Sequence, residues 1–439
     1  MFFLVLAVAV NCVSGVFGID DTRSYKNLKS LRMEKKGSID AVFIGASNVM
    51  AFWQPVFGWA DHGIAVSSLS YPGITCAAIK HMIIEARKTQ PDALYIINLG
   101  CFKNNHVSLE APQLHRVIDY TPFSLSKLNM VHDLVKKARL KAQDALEYYL
   151  PIIRFHSRWD ELPSWVFSDG STVYKLSYKT SGFSNKAVNI TDHLALENDV
   201  RTPISEDMSQ TFEELLDYCD SRHVNALFVK SPRVLGRKQQ GRLNALEDIL
   251  AQRGYPCLDL MEDVYDIGID PRTDFYNAGH TNIHGSIKFS KAVGDYLVEH
   301  YHFEDKRGLP GWESWDDACE AYMQYCEMYT LPFEREHAPR FSSDIPGLKK
   351  PSVDEQSVSV AWKGIEGADG YAVFRKTSST AWACVAEVDA GISDYTDAGL
   401  NPSTEYVYTV VPWRMNGEAR EYGSFNVLGV NASTKGESA

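Results

Sequence analysis

The sequence predicts an α/β protein, with an open, mostly parallel sheet covered by helices on both faces, followed by an all-β module. Three observations predict it. First, "DAVFIGAS" (Asp40 to Ser47), "DALYIINLG" (Asp92 to Gly100) and "NALFVKSP" (Asn225 to Pro232) are short, nearly continuous apolar runs. Each ends in a small residue or proline, the pattern of strands buried on both faces. Second, amphipathic helical patterns alternate with them: "TCAAIKHMIIEARKT" before the second, "SQTFEELLDYCDSRH" before the third, and "RLNALEDILAQRG" after it, leading to a shorter strand, "PCLDL". Third, from about Gly347 the chain changes to short strands between turn signals.

A chain of 439 residues, 45% hydrophobic and 23% charged, implies two or three folding units with a sizeable core. Lys+Arg 44 against Asp+Glu 56 gives a net charge of −12. With no basic cluster or RNA-binding fingerprint, nucleic acid is not an expected partner. The most basic stretch, Arg23 to Lys36, reads as a juxtamembrane flank or a solvated helix. The eight cysteines contain no CxxC pair, which argues against structural zinc. Cys319 and Cys326 lie two turns apart on a helical pattern, too far for an unstrained bridge, and the thiols read as small buried hydrophobes.

Four regions are expected. Residues 1–22 hold an apolar stretch that fits a signal peptide, a single membrane anchor, or a buried strand or helix. Residues 37–303 form the α/β domain, with an insertion at about 105–206. "LVKKARLKAQDALEYYLPIIRFHSRWDEL" in this insertion reads as helical, and "SDGSTVYKLSYKTSGF" as irregular or hairpin. Tyr148, Tyr149, Phe155, Trp159, Trp165 and Phe167 are expected to form the insertion's own core. Residues 304–346 are a helical extension and linker, and 347–435 the all-β module. In that module Trp362 fits the buried tryptophan of a second strand. Tyr371 opens a third strand, and Leu400-Asn401-Pro402 leads to Tyr406 as a tyrosine corner. The module thus resembles a fibronectin type III domain, which implies a sandwich fold and a spacer or binding role. Because such modules are common on cell surfaces, the chain is expected to be extracytoplasmic, membrane-anchored or secreted, meeting the membrane only through its N-terminal segment.

The chemistry centres on two stretches. "FIGASN" puts Ser47 where a buried strand meets a turn, so that its hydroxyl lies at the carboxyl edge of the sheet near backbone N–H groups. "DFYNAGHTNIHGS" follows the last strand-like segment and precedes the helical pattern "SIKFSKAVGDYLVEHY", with Gly285 and Ser286 as N-terminal punctuation. A histidine on such a late loop can serve a serine at the end of the first strand as general base. A metal site is the rival for this loop. His280 and His284 are spaced i, i+4 and with Asp274 or His302 would make a zinc set. No HExxH glutamate is present, and Gly285 suggests that His284 ends a loop, so serine chemistry is preferred.

On these residues the chain resembles the SGNH, or GDSL-type, serine hydrolase superfamily over about Gly37 to Tyr301. The strongest local match is to a bacterial branch that pairs an "F.G.S" strand end with a "DFY(D/N)..H.N..G" loop. The resemblance implies a flavodoxin-like, three-layer α/β/α sheet, with Ser47 as nucleophile and His280 as catalytic histidine. Gly73, in "SYPGITC", matches the second-block glycine of the oxyanion hole. Two positions depart from the family. The aspartate usual three residues before the histidine is Asn277, which can orient His280 through its carbonyl but carries no charge. Asp274 is the second candidate for that role. The third-block asparagine is also displaced: Phe102 occupies its usual place, Asn98 lies within the strand and Asn104 beyond the turn. The oxyanion hole is therefore expected from the Ser47 and Gly73 N–H groups, with Asn48.

The resemblance implies a serine esterase or O-acyltransferase acting on acyl, chiefly acetyl, esters of cell-surface or exported glycans or on small esters, without cofactor or metal. Contact of the C-terminal domain with cell-wall glycan is a further expectation. The alternative is a catalytically degraded SGNH-like surface module that binds glycan or protein, which Asn277 and the displaced asparagine keep open.

Overall fold

Five strands, β1 (Ala41–Gly45), β2 (Val66–Ser70), β3 (Leu94–Asn98), β4 (Ala226–Lys230) and β5 (Cys257–Asp259), form an all-parallel sheet in the order β2-β1-β3-β4-β5. The coordinates are a computed structural model describing residues 22–150, 152–155, 187–191, 199–335 and 340–436. The apolar N-terminal run lies outside the described residues, apart from residue 22, as do "SDGSTVYKLSYKTSGF" and Trp159, Trp165 and Phe167. None of the described helices is long and apolar enough to cross a membrane.

The three apolar runs become β1, β3 and β4, each buried at all five positions, and "PCLDL" supplies β5. Strand β2 is the element the apolar pattern does not reveal. Its sequence, "VSSLS", is rich in serine yet wholly buried. The Ser68 and Ser70 hydroxyls are tolerated because they pair, their Oγ atoms 3.2 Å apart, while Asn27 Nδ2 donates to the main-chain carbonyl of Ser70 at 2.9 Å. From β1 the chain goes to β2 on one side and then returns to β3 on the other. The order reverses at β1/β3, where ligand crevices open at the carboxyl ends of such sheets.

The expected helices form as Ile79–Ala86, Glu206–Arg222 and Arg237–Arg253. Ser205 Oγ accepts the Met208 N–H at the start of the second, and Gly254, with φ +77°, closes the third. Helices Leu125–Lys137 and Ala142–Tyr149 occupy the expected insertion. Here the expectation of a separate core is corrected, because Leu114, Val131, Leu134 and Tyr148 share one buried cluster with Val42, Ile44 and Ile97 of the sheet. Each fully buried Leu or Val contributes roughly 1.5–3 kcal/mol relative to exposure, so these helices are part of the domain's own stability. Cys76, Cys101 and Cys219 are buried thiols as expected, whereas Cys384 is exposed.

By contacts the chain divides into two compact units: 1–182, 193–262 and 293–319 make the first, and 183–192, 263–292 and 320–439 the second. The division differs from the expected boundary at 303/304, since the segment bearing His280 groups with the C-terminal module. The second unit contains an antiparallel β-sandwich. Strands β8 (Ser352–Val353), β9 (Ser357–Ala361) and β12 (Asp394–Ala398) form one sheet in the order β12-β9-β8. Strands β10 (Gly370–Lys376), β11 (Ala383–Asp389), β13 (Glu405–Asn416) and β14 (Ala419–Tyr422) form the other, in the order β11-β10-β13-β14, with β15 (Val430–Ser433) also paired to β13. Trp362 is buried against Tyr371, their rings 5.5 Å apart, and Tyr406 Oη accepts the Asn401 N–H at 3.1 Å. A second cluster joins Leu331 and Phe333 to Phe374, Trp382 and Phe425, so part of the expected linker is core.

The Tyr406 contact gives a stability prediction. Tyr406→Phe leaves the Asn401 N–H without its acceptor and is expected to cost about 1–2 kcal/mol. Urea unfolding of the full chain checks this, and an unchanged midpoint would show that the corner contributes nothing.

Candidate active site

At the carboxyl edge of the first unit's sheet, β1 ends at Gly45, Ala46 is extended, and Ser47 opens the helix Ser47–Phe52. Gly45 permits this sharp turn, since a Cβ there would collide with the Val49 side chain and lie 3.0 Å from Asn98 Cβ. Ser47 remains partly exposed while Asn48 is buried.

The edge is tied together by Asn98, the last residue of β3 and fully buried. Its Oδ1 accepts the Asn48 Nδ2–H at 2.7 Å and the Gly100 N–H at 2.8 Å, and its Nδ2 donates to Ser231 Oγ at 2.6 Å. The Gly100 N–H can only donate, which fixes the amide's orientation. One side chain thereby joins the ends of β1, β3 and β4. Tyr71 N–H donates to Gly45 O at 3.2 Å, drawing in the end of β2. Gly73, two residues further, is exposed with φ +75°, a left-handed conformation suited to glycine. Arg116 Nη1 donates to Pro72 O at 3.1 Å and steadies that turn.

In the second unit, "DFYNAGHT" forms a small hairpin of β6 (Phe275–Asn277) and β7 (His280–Thr281). Asn277 Oδ1 accepts the Gly279 N–H at 2.9 Å and lies 2.9 Å from His280 Nδ1. As the backbone N–H identifies that atom as the amide oxygen, Nδ1 is the protonated ring nitrogen, and the neutral ring's lone pair is on Nε2. The Tyr276 ring stacks on the imidazole, with centroids 5.3 Å apart.

Asp274, the other candidate for orienting His280, is fully buried and committed elsewhere. Its Oδ2 accepts from Lys288 Nζ at 2.6 Å and from Asp270 N at 2.8 Å, and its Oδ1 from Thr273 Oγ1 at 3.0 Å. It anchors the base of the hairpin. The following helix begins earlier than expected, as Ile283–His300, and therefore contains His284 and Gly285. Asn282 is what starts it: its Oδ1 accepts the His284 N–H at 3.0 Å and the Gly285 N–H at 3.3 Å, while its Nδ2 donates to Thr273 O. Gly285 is there for close approach, because a Cβ would collide with Asp274 O and lie 2.7 Å from Thr281 Cγ2. His284 is buried, with Nδ1 2.5 Å from Glu334 Oε2. Among the described residues no group of three or more His, Cys, Asp or Glu is arranged to hold a metal ion.

The structure therefore brings Ser47, Asn48 and Gly73 to one sheet edge, and Asn277, His280 and Asp274 to one hairpin, in the first and second units respectively. Sequence reasoning set Asn98 aside as a strand residue and did not single out Ser231 or Arg233. A polar residue closing an apolar run, as in "YIIN" and "FVKS", was the available signal.

No family model matches the chain, and no curated protein matches it. Among solved structures it is similar to a β-1,2-glucanase from Parabacteroides distasonis, at 18% identity and TM-score 0.19, covering 22% of this chain and 13% of that one. It is likewise similar to a computationally redesigned β-sandwich protein, at 20% identity and TM-score 0.18, covering 22% and 98%. A third likeness is to the fibronectin type III domain of human fibronectin type III domain containing protein 3, at 17% identity and TM-score 0.18, covering 23% and 93%.

The buried His284–Glu334 pair makes the second unit sensitive to acid. Burial alone would push the Glu334 carboxyl up, but the charge and hydrogen bond of His284 outweigh it and hold it below its ordinary value of 4.5. A depressed carboxyl contributes its stability above the unfolded value and loses it as pH falls through the folded one. Thermal stability of this unit is expected to fall below about pH 4.5. Glu334→Gln should cost about 3–5 kcal/mol at neutral pH and flatten that decline. Melting curves from pH 3 to 7 check it, and parallel profiles for the two proteins would contradict it.

Proposed function

We propose that the chain is a serine esterase or O-acyltransferase of the SGNH type. Ser47 Oγ attacks the ester carbonyl, and the carbon–oxygen double bond opens to a tetrahedral oxyanion. His280 Nε2 takes the serine proton and returns it to the departing alkoxide, leaving an acyl-serine. Water or a sugar hydroxyl then attacks that ester, by the same base, and releases the acyl group. The Ser47 and Gly73 N–H groups, with Asn48 behind them, bind the oxyanion.

The observation that carries this reading is the hydrogen bond between Asn277 Oδ1 and His280 Nδ1, because it gives the imidazole the tautomer that a general base needs. Two further features support it. Ser47 follows β1 at the reversal of strand order, as in flavodoxin-like sheets. The Asn98 amide braces the same edge. The pairing of Ser47 with His280 is the step that the proposal adds. The substrate class proposed is acyl, chiefly acetyl, esters of exported or cell-surface glycans, in an extracytoplasmic setting. The fibronectin type III-like sandwich is proposed as a spacer or glycan-contacting module. The reaction uses no cofactor.

Two outcomes are expected. A fluorophosphonate probe should label the full chain and not its Ser47→Ala variant, and His280→Ala should lower p-nitrophenyl acetate turnover by about a thousandfold or more. Equal labelling of wild type and Ser47→Ala removes the nucleophile. Asn277→Asp adds the charge that stabilises an imidazolium and should raise kcat/KM by about tenfold or more. An unchanged or lower value would show that Asn277 is not the group behind the base.

A further inference from the structure

Beside the Asn98 amide the first unit carries two cations that, among the described residues, have no counter-ion. Arg233 follows β4 by three residues, and its Nη1 would lie 3.0 Å from a Cβ built on Gly100, next to Asn98 Oδ1 and Asn48 Nδ2. Its Nε is buried without a hydrogen-bond partner. Lys103, just past β3, is half-buried as well. Among the described residues neither side chain forms a salt bridge or hydrogen bond, although most other partly buried cations of this unit do, such as Lys137 with Asp133 and Glu214. Burial and the adjacent guanidinium both disfavour the Lys103 ammonium, and burial disfavours the Arg233 charge.

The loop that carries Lys103 is held in place by the fold. Arg242 Nη1 donates to Lys103 O at 2.6 Å, Gln239 Nε2 to Asn104 Oδ1 at 2.9 Å, and Ser205 N to Asn105 Oδ1 at 2.7 Å. The loop after β3 is therefore pinned by neighbouring segments, and Lys103 cannot simply swing its backbone away from Arg233. Two like charges kept together and partly desolvated cost stability unless something negative joins them. A guanidinium with open donors beside an ammonium matches carboxylate or phosphate oxygens.

We propose that Arg233 and Lys103 form an oxyanion-binding subsite at the carboxyl edge of the sheet, and that the ester substrate carries a carboxylate or phosphate group. This substrate class rests on the esterase reading, whereas the anion site itself does not. Arg233 supplies paired N–H donors and Lys103 a point charge, so the anionic group is anchored while the ester lies toward Ser47. Neutral acetyl esters are then poor mimics of the natural substrate.

The test uses the full chain with Ser47→Ala, so that binding is read without turnover, and compares it with the same protein also carrying Arg233→Gln. Inorganic phosphate and succinate are titrated calorimetrically at fixed ionic strength, and melting temperature is followed with each. At least one anion is expected to bind and raise the melting temperature, with Arg233→Gln weakening it by about tenfold or more, the loss of a charge-assisted pair. Without anion, Arg233→Gln is expected to melt no lower than its parent, since it removes an uncompensated charge. Phosphate and succinate distinguish the two sources of the oxyanion. Binding of neither, or equal binding by both proteins, overturns the subsite. A melting loss without anion, with binding unchanged, assigns Arg233 a purely structural role and also overturns it. In parallel, fluorophosphonate labelling of the Ser47 protein reports on the esterase reading: labelling without anion binding defeats only the subsite, and anion binding without labelling defeats only the esterase.

Discussion

The side-chain amide of Asn98 holds the carboxyl edge of the sheet together. A parallel sheet fixes its strands by ladder hydrogen bonds but leaves the segments leaving their carboxyl ends to find their own partners. Asn98 supplies those partners from one buried position, taking N–H groups from Asn48 and Gly100 and donating to Ser231. Both lone pairs of its oxygen and one amide hydrogen are used, in a low dielectric where leaving them unpaired would be costly. The turn that presents Ser47 is tied to it through Asn48, and Gly100 lies so close that a Cβ there would meet both Asn98 Oδ1 and Arg233 Nη1. A cationic edge that has no counter-ion among the described residues sits against that amide, so polar order and unbalanced charge are concentrated in one place. Such an imbalance costs stability, and the proposed binding of an anion offsets it.

The hairpin of the second unit follows the same logic with a charge at its base. Asp274 is buried, paired with Lys288 and capped by Thr273 and the Asp270 N–H. That pairing lets the hairpin pack closely on the helix that follows, where Gly285 meets Asp274 O. Asp274 is thereby spent on structure, and the histidine is oriented by a neutral amide instead. In the proposed reaction this has a chemical consequence. Asn277 fixes the tautomer but gives no charge compensation when the imidazole is protonated, so the base is well placed and modestly powered.

Much of this was legible in the sequence, for identifiable physical reasons. Strands β1, β3 and β4 announce themselves because both faces are buried and every position must be apolar or small. Trp362 and Tyr406 stand out because each carries a large apolar area into the core, and Tyr406 adds a hydroxyl that accepts the Asn401 N–H. Strand β2 was hidden, since buried serines whose hydroxyls bond one another can replace apolar side chains without changing the fold. Asn98 was undervalued because its role depends on three segments far apart in sequence. The start of the helix at Ile283 is hidden for a related reason: Gly285 looks like punctuation just before a helix, but it answers a steric demand from Asp274 that no local pattern reveals. That Arg233 and Lys103 find no carboxylate among the described residues is likewise invisible in the local sequence.

The most direct measurement of the central claim is intact-mass and peptide-mapping mass spectrometry of the full chain, quenched in acid during turnover of p-nitrophenyl acetate. One acetyl group on the peptide containing Ser47, accumulating at early times and lost on chase with water alone, is the expected result. Turnover with Ser47 unmodified throughout, or an acetyl group mapped to another residue, would contradict Ser47 as the nucleophile.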